Sequence, residues 1–223
     1  MAEIPEFTLR EKKHAKTKLA LMQAFIKRME DQRFDDISIK EVCEEVMVSE
    51  GTFYNYFPSK INVIYYFATL YHLYIQCEAI YRAEKKSFLS RIDKMFEVMA
   101  ESYSNPHLVY ELISVLVREK TEPSKMDISL AERYYAFPDC KGILEVKTGS
   151  VLLREFIREC LEQAQKNQEL PEKTDIDEMI ISLKTLIAGL PLAVKYVNFK
   201  SVPEFYKKQL KVLWKGYGCK RDK

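Results

Sequence analysis

Apolar residues recur at helical spacing along almost the whole chain, and this pattern predicts an all-α fold of about nine helices with no credible sheet. The first helix is expected over residues 10–31, where Leu19, Met22, Phe25, Ile26 and Met29 share a face. A connector at residues 33–36 precedes Ser38-Ile39-Lys40-Glu41, a capping box in which Ser38 and Glu41 would satisfy each other's backbone N–H. The short helix opened there carries Ile39, Val42, Cys43 and Val46 on one side. Met47-Val48 makes a tight turn, Ser49 is a second N-cap, and a second short helix is expected over residues 50–57. Pro58 interrupts, and Ser59 caps a long helix reaching about residue 84, with Ile61, Ile64, Phe67, Leu70, Tyr71, Tyr74 and Ile75 at helical period.

Further helices follow at residues 91–104, from Pro106 through Val109, Leu112, Ile113, Leu116 and Val117, and briefly at 129–135. Pro123, Pro138, Gly142 and Gly149 punctuate the weaker stretch of residues 120–149. Periodicity returns at residues 150–167. Thr174-Asp175 then caps a strongly apolar helix that leads into Gly189-Leu190-Pro191 and stays apolar to Val197. The last helix starts at Ser201, with Pro203 in its first turn, and reaches about Trp214.

Composition narrows the function classes. A chain of 223 residues, 47% hydrophobic and 30% charged, can bury a sizeable core, and its net charge of +2 gives no general pull toward nucleic acid or acidic membranes. The 6 glycines and 8 prolines leave few helix-breaking positions. Five dispersed cysteines, an odd number without a Cys-x-x-Cys pair, argue against a disulfide framework and for a reducing compartment. His14, His72 and His107 form no ligand-spaced cluster, so neither a metal nor another cofactor is expected. The N-terminal residues do not resemble a signal peptide, and no apolar run approaches the roughly 20 residues that span a bilayer. The expectation is a cytoplasmic protein without membrane contact.

Two short capped helices joined by a tight turn describe a helix-turn-helix over residues 38–57. Ile39, Val42 and Val46 can pack on Val48 and Phe53, which leaves Glu50, Thr52, Tyr54, Asn55 and Tyr56 as polar-tipped groups on the second helix. Gly51, on its first turn, permits close approach of the backbone to DNA. Hydroxyls of Thr52, Tyr54 and Tyr56 suit phosphate oxygens, which set position rather than sequence. Asn55 can pair with adenine and Glu50 can accept from cytosine, although a first-turn acid also stabilises its helix dipole. Lys60 follows the Ser59 cap, where a cation and helix N-terminal amides can hold one phosphate. Ser38, Lys40 and Ser49 complete the set expected at DNA. Positive charge must be local, because Asp31, Asp35, Asp36, Glu41, Glu44 and Glu45 nearly cancel the bases of this region. Arg10, Lys12, Lys13, Lys16 and Lys18 on the first helix, with Lys40 and Lys60, supply it.

Over about its first 75 residues the sequence resembles the TetR family of bacterial regulators. Ser38-Ile39-Lys40-Glu41-Val42, Val48-Ser49-Glu50-Gly51-Thr52-Phe53-Tyr54-Asn55-Tyr56-Phe57 and Ser59-Lys60 carry the resemblance. It implies backbone contacts from Thr52, Tyr54, Tyr56 and Lys60, a DNA-binding head at residues 1–60, and a helical ligand-binding and dimerisation domain at residues 61–223. It also implies repression relieved by a small molecule, and a homodimer through residues 174–214 that sets two heads 34–36 Å apart on palindromic double-stranded operator DNA. The family usually has glycine where this chain has Met47, so a left-handed backbone there would be strained by about 1–2 kcal/mol. Tyr103, Tyr110 and Tyr134 are candidate pocket residues, and no cluster of Arg or Lys in an apolar setting marks an anion site, which favours an uncharged or aromatic effector. A tyrosine-rich core is the plainer account of the same residues. Rival functions are a helical ligand carrier or enzyme without DNA binding, and a helical adaptor. Against catalysis, the sequence shows no Ser-His-Asp set, metal spacing, phosphate loop or paired carboxylates.

Overall fold

The computed structural model describes residues 6–83, 87–119, 126–146 and 153–219, and among these it contains ten α-helices and no strand. They divide into two compact units. Residues 1–74 and 107–146 form the first, with α1 (Leu9–Arg28), α2 (Ile39–Val46), α3 (Glu50–Tyr56), the start of α4 (Lys60–Arg82), α6 (Pro106–Arg118) and α7 (Leu130–Ala136). Residues 75–106 and 147–223 form the second, with the end of α4, α5 (Phe88–Glu101), α8 (Leu153–Lys166), α9 (Ile176–Ala193) and α10 (Val202–Gly216).

In the first unit, α1 begins earlier than periodicity alone indicates, because Thr8 and Glu11 form a complete capping box: Thr8 N–H donates to Glu11 Oε2 at 2.8 Å and Glu11 N–H to Thr8 Oγ1 at 3.2 Å. Ala15, Leu19, Leu21, Met22 and Phe25 are buried on its inner face. Arg28 at its last turn pairs with Glu45 of α2 and donates to the Glu41 carbonyl at 3.2 Å, fixing α1 against α2. Phe53 of α3, Phe57 and Tyr66 of α4 are fully buried and meet as a ring ladder, with centroids 5.6 and 5.4 Å apart.

One cation of α1 does not face solvent. Lys18 was expected among the DNA-facing bases, but it is 8% exposed and its Nζ lies 2.8 Å from the Glu132 carboxylate of α7. Tyr66 donates to the same oxygen at 2.8 Å, and Lys18 Nζ sits 4.2 Å from the centre of the Tyr66 ring. Burial alone would raise the Glu132 pKa; the hydrogen bonds and charge of Lys18, with the Ser129 bonds, outweigh it and hold the carboxyl below its ordinary value. Burial and the neighbouring carboxylate push the Tyr66 hydroxyl far up, so it stays a donor. Lys18 of α1, Tyr66 of α4 and Glu132 of α7 thus satisfy one another in the interior.

In the second unit, Glu169 caps α5 with a carboxylate, accepting from the N–H groups of Phe88 at 2.9 Å and Leu89 at 3.2 Å. Trp214 of α10 is buried and donates to Asp93 of α5 at 2.8 Å. Pro191 lies inside α9, which continues to Ala193. Proline cannot donate to the Ile187 carbonyl one turn back; the Tyr206 hydroxyl of α10 donates to it instead at 3.1 Å. No disulfide joins the five cysteines; Cys43, Cys77, Cys140 and Cys160 are buried as small apolar groups, whereas Cys219 is partly exposed. No helix among the described residues is long and apolar enough to cross a membrane.

Candidate nucleic-acid interface

The α2–turn–α3 unit forms where its caps predict. Ser38 Oγ accepts from the Glu41 N–H at 3.4 Å, so the Ser38 half of the expected box forms. Ser49 Oγ accepts from the Thr52 N–H at 3.1 Å and bonds the Thr52 hydroxyl at 2.9 Å. Between the helices Met47 is left-handed, with φ 57° and ψ 45°, and 90% exposed. Val42, Cys43 and Phe53 bury the inner faces.

That packing aims the other side of α3 outward. Ser49, Glu50, Gly51, Tyr54 and Asn55 are exposed, Tyr54 by 50% with its ring edge-on to Phe53. Thr52 and Tyr56 are half-buried. The Tyr56 ring packs against His14 of α1, centroids 4.8 Å apart, in an open cleft of about 580 Å³ that Leu9, Arg10 and Lys13 also line. An anion held here would meet two cations and the Tyr56 hydroxyl. Lys16 is exposed with its Nζ 4.9 Å from the centre of the Tyr135 ring, and Lys12 is half-buried. Lys40 is exposed, 3.9 Å from Glu44.

Lys60 is tied down more than its place after a cap implied. It is half-buried, and its Nζ donates to the Asp35 carbonyl at 3.0 Å. Arg118 donates to the Asp35 carboxylate at 2.8 Å and holds its pKa below the ordinary value, with Arg33 and Lys60 adding to the effect. Ser59, expected to cap α4, instead donates: its N–H and hydroxyl both go to Asn62 Oδ1, at 2.9 and 2.8 Å.

The three candidate pocket tyrosines are divided between the two units. Tyr103 belongs to the second unit, beside Phe199 and 3.5 Å from the Tyr206 hydroxyl, and burial pushes its pKa up. Tyr134, in the first unit, packs on Phe7 and Tyr135 at centroid distances of 5.8 and 5.2 Å. Tyr110 is half-buried on α6. Desolvation pushes the His72 pKa down to about 4, keeping it neutral near pH 7. His107 Nδ1 lies 3.0 Å from the Met29 carbonyl. No group of three His, Cys, Asp or Glu side chains among the described residues is placed to hold a metal. Sequence patterning missed the buried Arg133 of α7, because its neighbour Glu132 makes the pair look like a solvated helix surface.

No protein-family model matches the sequence, and no curated protein matches it significantly. Solved structures do match. A TetR-family transcriptional regulator from Cytophaga hutchinsonii superposes with a TM-score of 0.60 at 12% identity, over 98% of this chain and 100% of its own. A Rhodococcus protein assigned to the same family gives 0.57 at 17% identity, over 89% and 98% of the two chains. A regulatory protein of this family from Rhodococcus RHA1 gives 0.55 at 11%, over 92% and 99%. The chain has the fold of the TetR-family transcriptional regulators.

Proposed function

We propose that this protein is a ligand-responsive transcription regulator, a repressor that a small molecule releases from palindromic operator DNA. The carrying observation is the outward side of α3: a doubly capped helix-turn-helix presents Glu50, Gly51, Tyr54 and Asn55 to solvent on a rigid, buried-aromatic base. Tyr54, Thr52 and Tyr56 contact phosphates, Asn55 and Glu50 read bases, Gly51 lets the backbone approach, and Ser38, Lys40, Ser49 and Lys60 flank them. The cleft of Arg10, Lys13 and Tyr56 adds a phosphate contact. Residues 1–60 are the head and residues 61–223 the effector and dimerisation part of a cytoplasmic homodimer.

Dimerisation through residues 174–214 draws support from apolar groups left at the surface. Ile181, Ala188 and Leu192 share one exposed face of α9, Tyr196 and Val197 follow it, and Val212 is exposed on α10. The response to ligand has a continuous route within the first unit, from Glu132 of α7 through Tyr66, Phe57 and Phe53 to α3. An effector releases DNA only by binding the non-DNA arrangement better. Its body is apolar or aromatic; of the tyrosines that the sequence singles out, Tyr110 and Tyr134 lie in the first unit with that route, and Tyr103 lies in the second.

Fluorescence anisotropy with the chain's own upstream DNA tests the reading. Binding should be sequence-selective and weaken steeply with salt. Replacing Tyr54 and Asn55 by alanine should weaken it on the order of 100-fold, two contacts of about 1–3 kcal/mol each, with helicity intact. Full affinity in that variant, or no selective binding by the native protein, would sink the assignment.

A further inference from the structure

Arg133 departs from the pattern of Lys18, Tyr66 and Glu132, which are buried and bonded to one another. It is 3% exposed, its Nη1 donates to the Val146 carbonyl at 2.8 Å, and its enclosed Nε has no hydrogen-bond partner. The adjacent Glu132 cannot neutralise it, because that carboxylate is engaged by Lys18, Tyr66 and Ser129. Among the described residues no other carboxylate lies within ion-pair distance. Burial pulls the guanidinium pKa down with no opposing charge, yet arginine stays protonated. A buried ion without a counter-ion is among the costliest arrangements a protein interior can hold. A water could satisfy the Nε–H but would leave the charge uncompensated. An anion would supply the compensating charge.

The geometry also indicates which kind. With Nη1 committed to Val146, the remaining edge of the guanidinium is the Nε–Nη2 pair, two parallel donors that match the two oxygens of one carboxylate. The chain on either side of Arg133 is apolar and aromatic. Phe137, the residue that follows α7, donates its N–H to the Arg133 carbonyl at 3.0 Å, and its ring stacks on Tyr74 of α4 at 4.8 Å. Ile128, Cys140 and Ile143, on either side of α7 in the chain, are buried.

We propose that Arg133 anchors a ligand site within the first unit and takes the carboxylate of a small organic acid whose body is apolar or aromatic. The proposal rests on the regulator reading and sharpens it: the effector is amphiphilic and anionic, where the sequence pattern favoured an uncharged one. It also puts the ligand one residue from Glu132, the start of the route to α3.

The test uses the full-length protein without DNA, in thermal-shift titrations with octanoate and phenylacetate, each beside its neutral amide, and with inorganic phosphate. The acids should raise Tm with concentration, while the amides and phosphate should not. Arg133→Met should weaken the response to acid at least tenfold. Independently of which acid is native, Arg133→Met should raise the Tm of the ligand-free protein by about 2–4 °C, since it removes an uncompensated charge at nearly constant volume. A lower Tm in that variant would make Arg133 a brace on Val146 and overturn the proposal. So would equal responses to acid and amide, a response to phosphate alone, or none to either acid. Native protein that failed to bind DNA selectively would overturn the regulator reading instead, a separate measurement.

Discussion

The outward side of α3 and the interior formed by α1, α4 and α7 belong to the same compact unit, yet they treat polar groups in opposite ways. On α3, Tyr54 and Asn55 are exposed on a base of fully buried phenylalanines. In the interior, Lys18, Glu132 and Tyr66 are buried and bonded to each other. Water can satisfy the first set until a partner displaces it, whereas the second must be satisfied by the chain itself. Arg133 has the burial of the second set and the openness of the first. The contrast teaches where partners belong: at polar groups the fold positions without consuming.

The largest effect should come from breaking the interior set. Glu132→Ala leaves Lys18 buried without its counter-ion, which costs about 3–5 kcal/mol and lowers Tm on the order of 10 °C. Adding Lys18→Met should recover most of the loss, because the stranded charge is gone. Differential scanning calorimetry decides the matter; a silent Glu132→Ala would show that the network contributes nothing. Its pH dependence has a fixed sign. The Glu132 pKa is depressed in the folded state below its ordinary 4.5, so its stabilisation is complete above that value and is lost as pH falls through the folded value. Tm should therefore fall more steeply below pH 4.5 in the native protein than in Glu132→Gln.

A smaller and oppositely signed pair of effects should appear on the outward side. A Cβ at Gly51 would meet nothing nearer than Ser49 Oγ at 3.7 Å, an ordinary contact. Within the protein, then, Gly51→Ala should stabilise α3 by roughly 0.5–1 kcal/mol. Against DNA the added methyl occupies the space the backbone needs, and affinity should drop about tenfold or more. Unchanged affinity alongside raised stability would remove close backbone approach from the account of the interface.

Legibility in the sequence follows the same division. The caps at Ser38, Ser49 and Asp175 act within three residues, and each sits at the start of the helix it is expected to open, while Ser129, which also forms a capping box, is read only as the first residue of a short helix. Thr8-Leu9-Arg10-Glu11 is equally local, but the apolar period begins only later in α1, so periodicity alone does not mark this cap. What depends on distant residues was not legible. Lys18 looks like one more base of a basic helix until α7 brings Glu132 to it. Pro191 looks like a terminator until Tyr206 takes over the carbonyl that it leaves bare. Arg133 looks paired with a neighbour whose carboxylate is spent elsewhere.

The most confined expected effect, on stability and not on affinity, concerns Met47, the exposed position where the residue contributes least. Its backbone is left-handed, a conformation that costs an ordinary L-residue about 1–2 kcal/mol. With 90% of the residue exposed, almost no packing offsets that cost. Glycine adopts the conformation freely but loses more chain entropy on folding, so the two terms oppose each other and the net gain should be near 1 kcal/mol. Met47→Gly should therefore raise Tm by about 2–4 °C while leaving the affinity for DNA unchanged, since Met47 is not among the groups assigned to contact it. A parallel fall in affinity would mean that the turn side chain belongs to the outward set, and the boundary drawn between positioned and consumed groups would have to move by one residue.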